Sequence, residues 1–406
     1  MRSSEAVEHA SVLSSPALAP AMHALGGEGA LDVFRRATAL EREGRHIIHL
    51  ELGAPDVDPP VHVVQAAVRA LEAGDARYVA SAGIPELRDA IAADARSRGV
   101  DCDASQVLVT PSAKTAVFYA MLATVRPGDE VLVPDPGFPI YASVTRFCGG
   151  TPIGYALDAA NAPDVDDILA RIGPRTRAIC LNSPNNPTGG ALDRTALDRL
   201  ADAAVAHDLV LVTDDIYSRL VYDGARAPTI AACGGARERT LLVDGVSKSY
   251  AMTGYRLGWL IAPSAWMERL VTLAINGHTC VPPFVQRAGV AALTGPHEHV
   301  ARQVAAYRTR RDRFVAGLHA LPGVTCAAPA GAFYVFPDFS ALLAPRGLTS
   351  ADFAARLLEV HGVAAIDGRA FGARGEGRLR FSFASATTDV EMALARVGDA
   401  VRDLLD

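Results

Sequence analysis

The sequence predicts an α/β protein with a large domain, in which a mainly parallel sheet lies between helices, and a smaller α+β domain. Three observations support this fold class. At 406 residues the chain exceeds the size at which a single hydrophobic core stops growing. Its composition, 50% hydrophobic and 21% charged, is typical of a globular protein. Short apolar runs alternate with helical patterns through the middle of the chain, and this alternation ends near residue 297.

The elements of the large domain repeat one theme, a short run rich in Val, Leu and Ile followed by a polar loop and a helical pattern. Runs without alternating polarity indicate strands buried on both faces, as in parallel sheets. The predicted strands are 107–110, 130–133, 177–181, 209–213 and 241–243. Pro85 suits a first helical turn, with Leu87 and Ile91 at helical spacing behind it. A further helix is predicted to start near Ser112 and to stop before the Pro-Gly turn at 127–128.

The elements of the smaller domain follow residue 297. The pattern predicts a long helix over 302–321 and strands at 332–336 and 378–383. The last helix is predicted to begin at Thr388, with Glu391 completing a capping box. We assign residues 1–30 to an N-terminal extension, 31–58 and 297–406 to the small domain, and 59–296 to the large domain.

Charge and cysteine content narrow the possible partners. The net charge of −6 is spread along the chain, so it offers no basic surface for nucleic acid or an anionic membrane. The six cysteines are scattered and form no Cys-x-x-Cys pair, so neither a zinc site nor a disulfide framework is expected, and no other metal-site spacing is found. We read no signal peptide and no apolar run long enough to span a bilayer, and therefore expect a soluble, cytoplasmic protein that acts on small molecules.

Polar residues follow the predicted strands where a parallel sheet binds its ligands, at the carboxyl ends. Lys248 follows one strand in a Ser/Gly-rich loop and is suited to form an imine with an aldehyde. Asp214 suits a protonated ring nitrogen, and Asn186 and Tyr217 suit a ring hydroxyl. Phe138 suits stacking on a ring. The helix start at Ser112 and the guanidinium of Arg256 suit a phosphate. Aldehyde, ring nitrogen, ring hydroxyl and phosphate are the groups of pyridoxal 5′-phosphate.

These residues give the chain a resemblance to the class I/II aminotransferases of the fold-type I pyridoxal-phosphate family, and to their aspartate aminotransferase-like members. The resemblance covers nearly the whole chain. It rests on stretches at 52–56, 78, 83–88, 185–189, 213–217, 247–248, 253–256, 331–334 and 380–382. It implies a seven-stranded, mainly parallel sheet and a homodimer.

The resemblance also implies roles for individual residues. Lys248 would hold the cofactor and then move the α-proton of the substrate, while Asp214 would keep the pyridine nitrogen protonated. Tyr217 would contribute to catalysis and contact the ring oxygen of the cofactor. Arg380 would bind the substrate α-carboxylate. The remaining implied contacts are Ser112, Ala113, Lys114, Ser247 and Arg256 at the phosphate, Asn186 at the ring oxygen and the substrate, Phe138 on the ring, Gly53 at the substrate, and Tyr78 from the other subunit.

Some positions have competing interpretations. Asp215 is an alternative to Asp214, and Arg378 shares a strand face with Arg380. A core aromatic is the alternative interpretation for Phe138 and Tyr217, and an ordinary surface residue is the alternative for Tyr78.

The chain departs from the common family pattern at three points. Gly245 stands where many members have Ser, and Ala54 where many have Glu. Ser112 and Ala113 replace a frequent Gly pair. The change at Ala54 bears on substrate preference rather than on cofactor binding.

The predicted function is transfer of an amino group between an L-amino acid and a 2-oxo acid by a ping-pong cycle. Glutamate and 2-oxoglutarate are the expected couple on one side, with an aspartate- or alanine-type substrate on the other. Lys114 would meet the distal carboxylate of a dicarboxylic substrate, or else simply face solvent. The alternatives are a lyase, racemase or decarboxylase using the same cofactor, and a non-catalytic module of the same fold.

Overall fold

The computed structural model describes residues 18–27, 29–224 and 226–406. The predicted extension at 1–30 therefore lies partly outside the described residues. Within the described ranges the strands are β1 (Ile48–His49), β2 (Val107–Thr110), β3 (Glu130–Pro134), β4 (Thr151–Tyr155), β5 (Thr176–Asn182), β6 (Val210–Asp214), β7 (Thr240–Gly245), β8 (Gly258–Ile261), β9 (Tyr334–Val335), β10 (Val363–Ala364), β11 (Ile366–Asp367) and β12 (Leu379–Ser382).

The α-helices of the same ranges connect and cover these strands. They are α1 (Gly29–Arg42), α2 (Val61–Glu72), α3 (Pro85–Arg96), α4 (Ala113–Thr124), α5 (Ile140–Phe147), α6 (Val165–Ala170), α7 (Arg194–Ala206), α8 (Ser264–His278), α9 (Pro283–Thr294), α10 (Glu298–His319), α11 (Ser340–Leu343), α12 (Ser350–Glu359) and α13 (Thr387–Leu405). Pro85 occupies the first turn of α3, and Ser112 is the N-cap of α4, as predicted.

Seven of the described strands form one sheet in the order β2-β8-β7-β6-β5-β3-β4. The five strands β3 to β7 are parallel to one another, whereas β8 is antiparallel to both of its neighbours, β2 and β7. The mainly parallel seven-stranded sheet is thus confirmed. The residues of β2, β6 and β7 are all buried, because helices cover both faces of the sheet.

The register of the sheet places the candidate residues side by side. Asn182 at the end of β5 pairs with Asp214 at the end of β6, which pairs in turn with Val243 of β7. Lys248 follows β7 by three residues. The carboxyl ends of three adjacent strands therefore carry their polar side chains to one edge of the sheet.

Two smaller sheets lie outside the large one. β1 pairs with β10 in parallel, so a segment near the N-terminus shares a sheet with the C-terminal part of the chain. β12 lies between β11 and β9, antiparallel to both. The result is the expected α+β region, and the domain boundaries themselves stay a prediction.

The capping box predicted for the last helix is wrong. α13 begins one residue earlier, with Ala386 as a cap that makes no side-chain hydrogen bond. Glu391 instead pairs with Arg313 of α10 at 2.5 Å. Because α13 begins at Thr387, Thr388 lies inside its first turn and is not the N-cap that a capping box needs.

None of the described helices is both long and apolar enough to cross a membrane.

Candidate active site

A cavity of about 250 Å³ opens at the carboxyl edge of the large sheet, against residues of the smaller sheets. Of the thirteen predicted site residues, the structure brings twelve to this cavity. They are Gly53, Ser112, Ala113, Lys114, Phe138, Asn186, Asp214, Tyr217, Ser247, Lys248, Arg256 and Arg380. The thirteenth, Tyr78, is 86% exposed and does not line the cavity.

Lys248 lies inside the cavity. Its Nζ donates a hydrogen bond to the carbonyl oxygen of Gly53 at 2.5 Å. Burial lowers the pKa of Lys248 to about 8, and the positive charges of Arg380, Lys114 and Arg256 act in the same direction. A lysine of this kind loses its proton far more readily than a surface lysine, as a nucleophilic amine requires.

Asp214 is 5% exposed and is held by two donors. The Tyr141 hydroxyl donates to Oδ2 at 2.8 Å, and the Ile216 N–H donates to Oδ1 at 3.2 Å. Burial raises the pKa of Asp214 to about 6, and the Tyr141 hydrogen bond opposes that rise. Near neutral pH the carboxylate is therefore mostly ionised and suited to a cationic nitrogen.

Asp215 is separated from Asp214 by strand geometry. Consecutive side chains at a strand end point to opposite faces, and only Asp214 lines the cavity. Asp215 pairs with Arg98 at 2.7 Å on the other side. This contact disfavours Asp215 as the partner of a ligand in the cavity.

Arg380 is 4% exposed and is oriented by oxygen atoms. Its Nη1 donates to Oδ1 of Asn186 at 3.1 Å, and its Nη2 donates to the carbonyl oxygen of Glu51. Its buried Nε–H has no hydrogen-bond partner among the described residues. Arg378 instead pairs with Asp338 at 3.1 Å. Arg380 is therefore the guanidinium that is available to a carboxylate in the cavity.

The position of the Tyr334 side chain requires a glycine at position 53. A Cβ at this position would lie 2.2 Å from the hydroxyl oxygen of Tyr334. That hydroxyl is in turn 2.8 Å from the hydroxyl of Tyr217. We expected Gly53 to permit approach of substrate, and the structure adds that it makes room for this tyrosine pair.

The start of α4 forms a second end of the cavity. Ser112 has a φ of 120°, an unusual value for a residue with a side chain, and its Oγ accepts from the Thr115 N–H at 3.3 Å. Gly258 packs directly behind, since a Cβ there would lie 2.3 Å from the nitrogen of Ala113. Arg256 adopts the left-handed conformation and lines the same cavity. Hydroxyl, guanidinium and helix-start amide groups together suit a phosphate.

Phe138 and Lys114 both line the part of the cavity near the start of α5. The Lys114 Nζ is 5.6 Å from the centre of the Phe138 ring, and Phe138 packs edge-on against Tyr141 with ring centres 6.0 Å apart. Phe138 thus lines the cavity and also packs against the edge of the core.

The sequence reasoning did not assign every cavity residue to the site. Among those it missed are Tyr141, Asn182, Tyr334 and Phe371. Tyr334 closes the motif at 331–334, and Tyr141 lies three residues after Phe138 at a helix start, so both had a local signal. Asn182 ends β5 and donates to the carbonyl oxygen of Asp214 at 2.9 Å. Phe371 ends a short 3₁₀ helix, Gly368–Phe371, which no sequence pattern marked.

The side chains present fit pyridoxal phosphate. The cavity offers one amine of lowered pKa, one buried carboxylate, hydrogen-bonding groups at a helix start and a guanidinium with an unpaired N–H. These are the complements of an aldehyde, a basic ring nitrogen, a phosphate and a substrate carboxylate. Fold and site together define an enzyme that uses this cofactor.

Comparison with known proteins identifies the family. The family model described as aminotransferase class I and II matches residues 45–397. The aspartate aminotransferase of Rhizobium meliloti (strain 1021) is 38% identical over 387 residues, which are 93% of this chain and 94% of that protein. The arginine–pyruvate transaminase of Pseudomonas aeruginosa is 36% identical over 382 residues, 93% of this chain and 96% of that protein.

A solved structure agrees. The aspartate aminotransferase from Thermus thermophilus with maleate has a TM-score of 0.89 at 36% identity, and the match covers 95% of this chain and all of the other. The chain belongs to the class I and II aminotransferases. It is therefore a pyridoxal-phosphate-dependent transaminase of the α/β fold predicted from the sequence.

Proposed function

We propose that this transaminase moves the amino group of an L-amino acid to a 2-oxo acid in a ping-pong cycle, with glutamate and 2-oxoglutarate as one couple. The observation that carries the proposal is the convergence of Lys248, Asp214 and Arg380 in a single cavity. An amine, a carboxylate and a carboxylate-binding guanidinium are what amino-group exchange at an α-carbon needs.

Each residue has a definite task in this proposal. Pyridoxal phosphate, when bound, supplies a carbonyl group for the amine and a ring that accepts electrons from the substrate α-carbon. Lys248, with its lowered pKa, takes and returns the α-proton at Nζ. Asp214 holds positive charge at the ring nitrogen, and Asn186 and Tyr217 face the ring oxygen. Arg380 and Asn186 bind the substrate α-carboxylate.

The phosphate is assigned to the second end of the cavity. Ser112, Ala113, Lys114, Ser247 and Arg256 would hold it, and Phe138 would lie against the ring. The packing of Gly258 on the start of α4 supports this assignment, because it fixes the backbone of that loop. Gly245 leaves one hydroxyl fewer at this end.

The second substrate is proposed to be aspartate- or alanine-type. Lys114 supports a dicarboxylic substrate, because its charge lies at the rim of the cavity that Arg380 faces. The Thermus thermophilus relative, solved with the dicarboxylate maleate, points the same way. Leu31 and Phe371, which also line the cavity, suit a small apolar side chain instead.

A half-reaction screen tests these assignments. Each amino acid is mixed alone with the loaded enzyme, and the cofactor absorbance is followed before a 2-oxo acid is added. We expect glutamate and aspartate to convert the cofactor and 2-oxoglutarate to reverse the change. Release of ammonia together with a 2-oxo acid over many turnovers, without an added 2-oxo acid, would instead indicate a lyase. Lys114→Ala should lower turnover of aspartate more than that of alanine, and an unchanged ratio would remove Lys114 from substrate binding.

We also propose a homodimer in which Tyr78 reaches the neighbouring site. Its 86% exposure supports this, as do the exposed apolar residues Val61, Val64, Val68 and Leu71 along one face of α2. Mixing Lys248→Ala and Tyr78→Ala subunits tests it. If Tyr78 acts across the interface, each mixed dimer regains one site with neither substitution, whereas a Tyr78 that acts within its own subunit gives no recovery. A cytoplasmic location stays a prediction.

A further inference from the structure

Six buried charged residues lie beneath the active-site edge of the sheet, outside the cavity. Three arginines and three aspartates make up this group, which we call the ion network: Arg98, Arg219, Arg226, Asp94, Asp215 and Asp244. Their side chains are between 1% and 15% exposed. The charges balance, as buried charges must if they are not to cost several kcal/mol each.

The ion network consists of two linked parts. Asp94 on α3 is bound by both arms of the Arg226 guanidinium, at 2.9 and 2.7 Å, and also by Arg219. Asp215 pairs with Arg98 at 2.7 Å. Asp244 joins the two parts, 3.5 Å from Arg226 and 3.9 Å from Arg98.

Asp215 depends on Arg98 more than the other aspartates depend on any single arginine. Its Oδ1 accepts a hydrogen bond from the Thr213 hydroxyl at 2.7 Å. Within the described residues, however, Arg98 is the only cation at salt-bridge distance from Asp215. Asp215 is 1% exposed, so water does not screen it. Without Arg98 its negative charge would act directly on neighbouring groups.

One such group is Asp214, the adjacent residue, on which the charge of Asp215 acts. We propose that Arg98 acts on the active-site cavity through Asp215: by neutralising the Asp215 carboxylate, it keeps the Asp214 carboxylate ionised. Arg98 is then a positioning residue, which touches neither cofactor nor substrate. The inference rests on the proposed role of Asp214 at the ring nitrogen.

The charges that face Asp214 support this direction of effect. Burial is the largest cause of its raised pKa, the negative charge of Asp215 raises it further, and Lys248 lowers it. Its other titratable neighbours are Tyr141 on α5, Cys180 on β5 and Tyr217 after β6. On the far side, burial raises the pKa of Asp244 to about 7, with Arg226 and Arg98 opposing. Exchange of Arg98 or Asp215 leaves Tyr141, Cys180 and Tyr217 in place, whereas Asp244 loses a charged neighbour and responds in the same direction as Asp214.

The test uses the loaded enzyme and follows the absorbance of the bound cofactor against pH. Arg98→Met leaves one uncompensated negative charge and should raise the pH midpoint of this absorbance change by about one unit, the order of shift that one nearby buried charge produces. Asp215→Asn leaves an uncompensated positive charge and should lower the midpoint. The double variant should return it to the wild-type value.

Opposite shifts separate this proposal from a structural role. If the Arg98–Asp215 pair only ties α3 to the sheet, both single variants lose stability and neither moves the midpoint in its own direction, which would overturn the proposal. If Arg98→Met does not fold, two other variants still test the proposal. Asp215→Asn is expected to have a lowered midpoint, and the charge-preserving Arg98→Lys is expected to have the midpoint of the wild type. Arg239→Met is the matched control. Arg239 immediately precedes β7, at the end of the strand away from the cavity, and pairs with Asp208.

Failure of the proposed function is distinguishable from failure of this inference. Loss of the function would appear as Lys248→Ala or Asp214→Asn retaining wild-type turnover, whatever happens at Arg98. Failure of the inference alone would leave those variants inactive while the Arg98 and Asp215 midpoints coincide with that of the wild type.

Discussion

Replacing Tyr141 by Phe removes one hydroxyl and leaves a buried ring in place. That hydroxyl donates to Oδ2 of Asp214 at 2.8 Å, and Tyr141 is 1% exposed. A hydrogen bond to a charged group contributes about 1.5–3 kcal/mol, which corresponds to about one to two pH units. The pKa of Asp214, already raised to about 6 by burial, should therefore rise by that amount in the variant.

The consequence is a loss of ionised Asp214 at neutral pH. With the hydroxyl present the carboxylate is mostly ionised above pH 6, whereas in Tyr141→Phe a large fraction becomes protonated between about pH 7 and 8. A protonated Asp214 cannot hold positive charge at a ring nitrogen. We expect kcat to fall about ten- to a hundredfold and KM to change little, because Arg380 and Asn186 are untouched.

Infrared difference spectroscopy of the cofactor-free protein measures the carboxyl directly. The band of protonated Asp214, identified by its absence in Asp214→Asn, is followed against pH in wild type and Tyr141→Phe. Tyr155→Phe is the matched control, because Tyr155 is equally buried and donates to the neutral carbonyl of Cys180 at 2.8 Å. Equal midpoints for Tyr141→Phe and wild type would refute the reasoning. So would an equal shift in the control.

Three further predictions follow from close contacts and charge. Gly53→Ala should push Tyr334 aside, since the new Cβ would lie 2.2 Å from its hydroxyl, and lower activity tenfold or more; Tyr334→Phe in the same chain should restore part of the loss. Gly258→Ala should weaken cofactor binding in an equilibrium titration, because its Cβ would lie 2.3 Å from the backbone at the start of α4, whereas Gly254→Ala, with nothing within 4 Å, should not. The pKa of His49 is raised, chiefly by the carboxylate two residues along the chain, so its stabilising contribution should be full below its ordinary value of 6.5 and lost as pH rises through the folded value. The difference in unfolding free energy between wild type and His49→Gln should therefore shrink with rising pH, and a constant difference would contradict this.

The strand-end residues were predictable because backbone geometry dictates their position. A parallel sheet delivers the residue after each buried run to one edge, so the apolar runs alone indicated that Asp214 and Lys248 would meet. Asn186 and Arg380 were found through short motifs whose order matched a known family. Their place in the cavity then depended on two parts of the chain that lie 194 residues apart.

The residues that sequence reasoning missed act through side-chain contacts between distant segments. Tyr141 reaches Asp214 across 73 residues, and Phe371 lines the cavity from the end of a short 3₁₀ helix. The capping box at Thr388 was wrong because α13 begins one residue earlier, at Thr387, which places Thr388 inside the helix. Local patterns report the backbone and do not report which distant side chain competes for a given group.

Asp214 and Asp215 illustrate how contacts between distant segments determine the chemical role of a side chain. The sequence presents two adjacent carboxylates that differ only by position, and strand alternation separates them into a cavity face and a buried face. Once separated, each receives its own partner, a tyrosine hydroxyl for one and an arginine for the other. The neutral Tyr141 hydroxyl leaves the negative charge of Asp214 available to a ligand, whereas the Arg98 guanidinium neutralises the charge of Asp215. The division of labour between two identical side chains therefore arises from the donors that the fold brings to them, and exchanging those donors is the most direct way to test it.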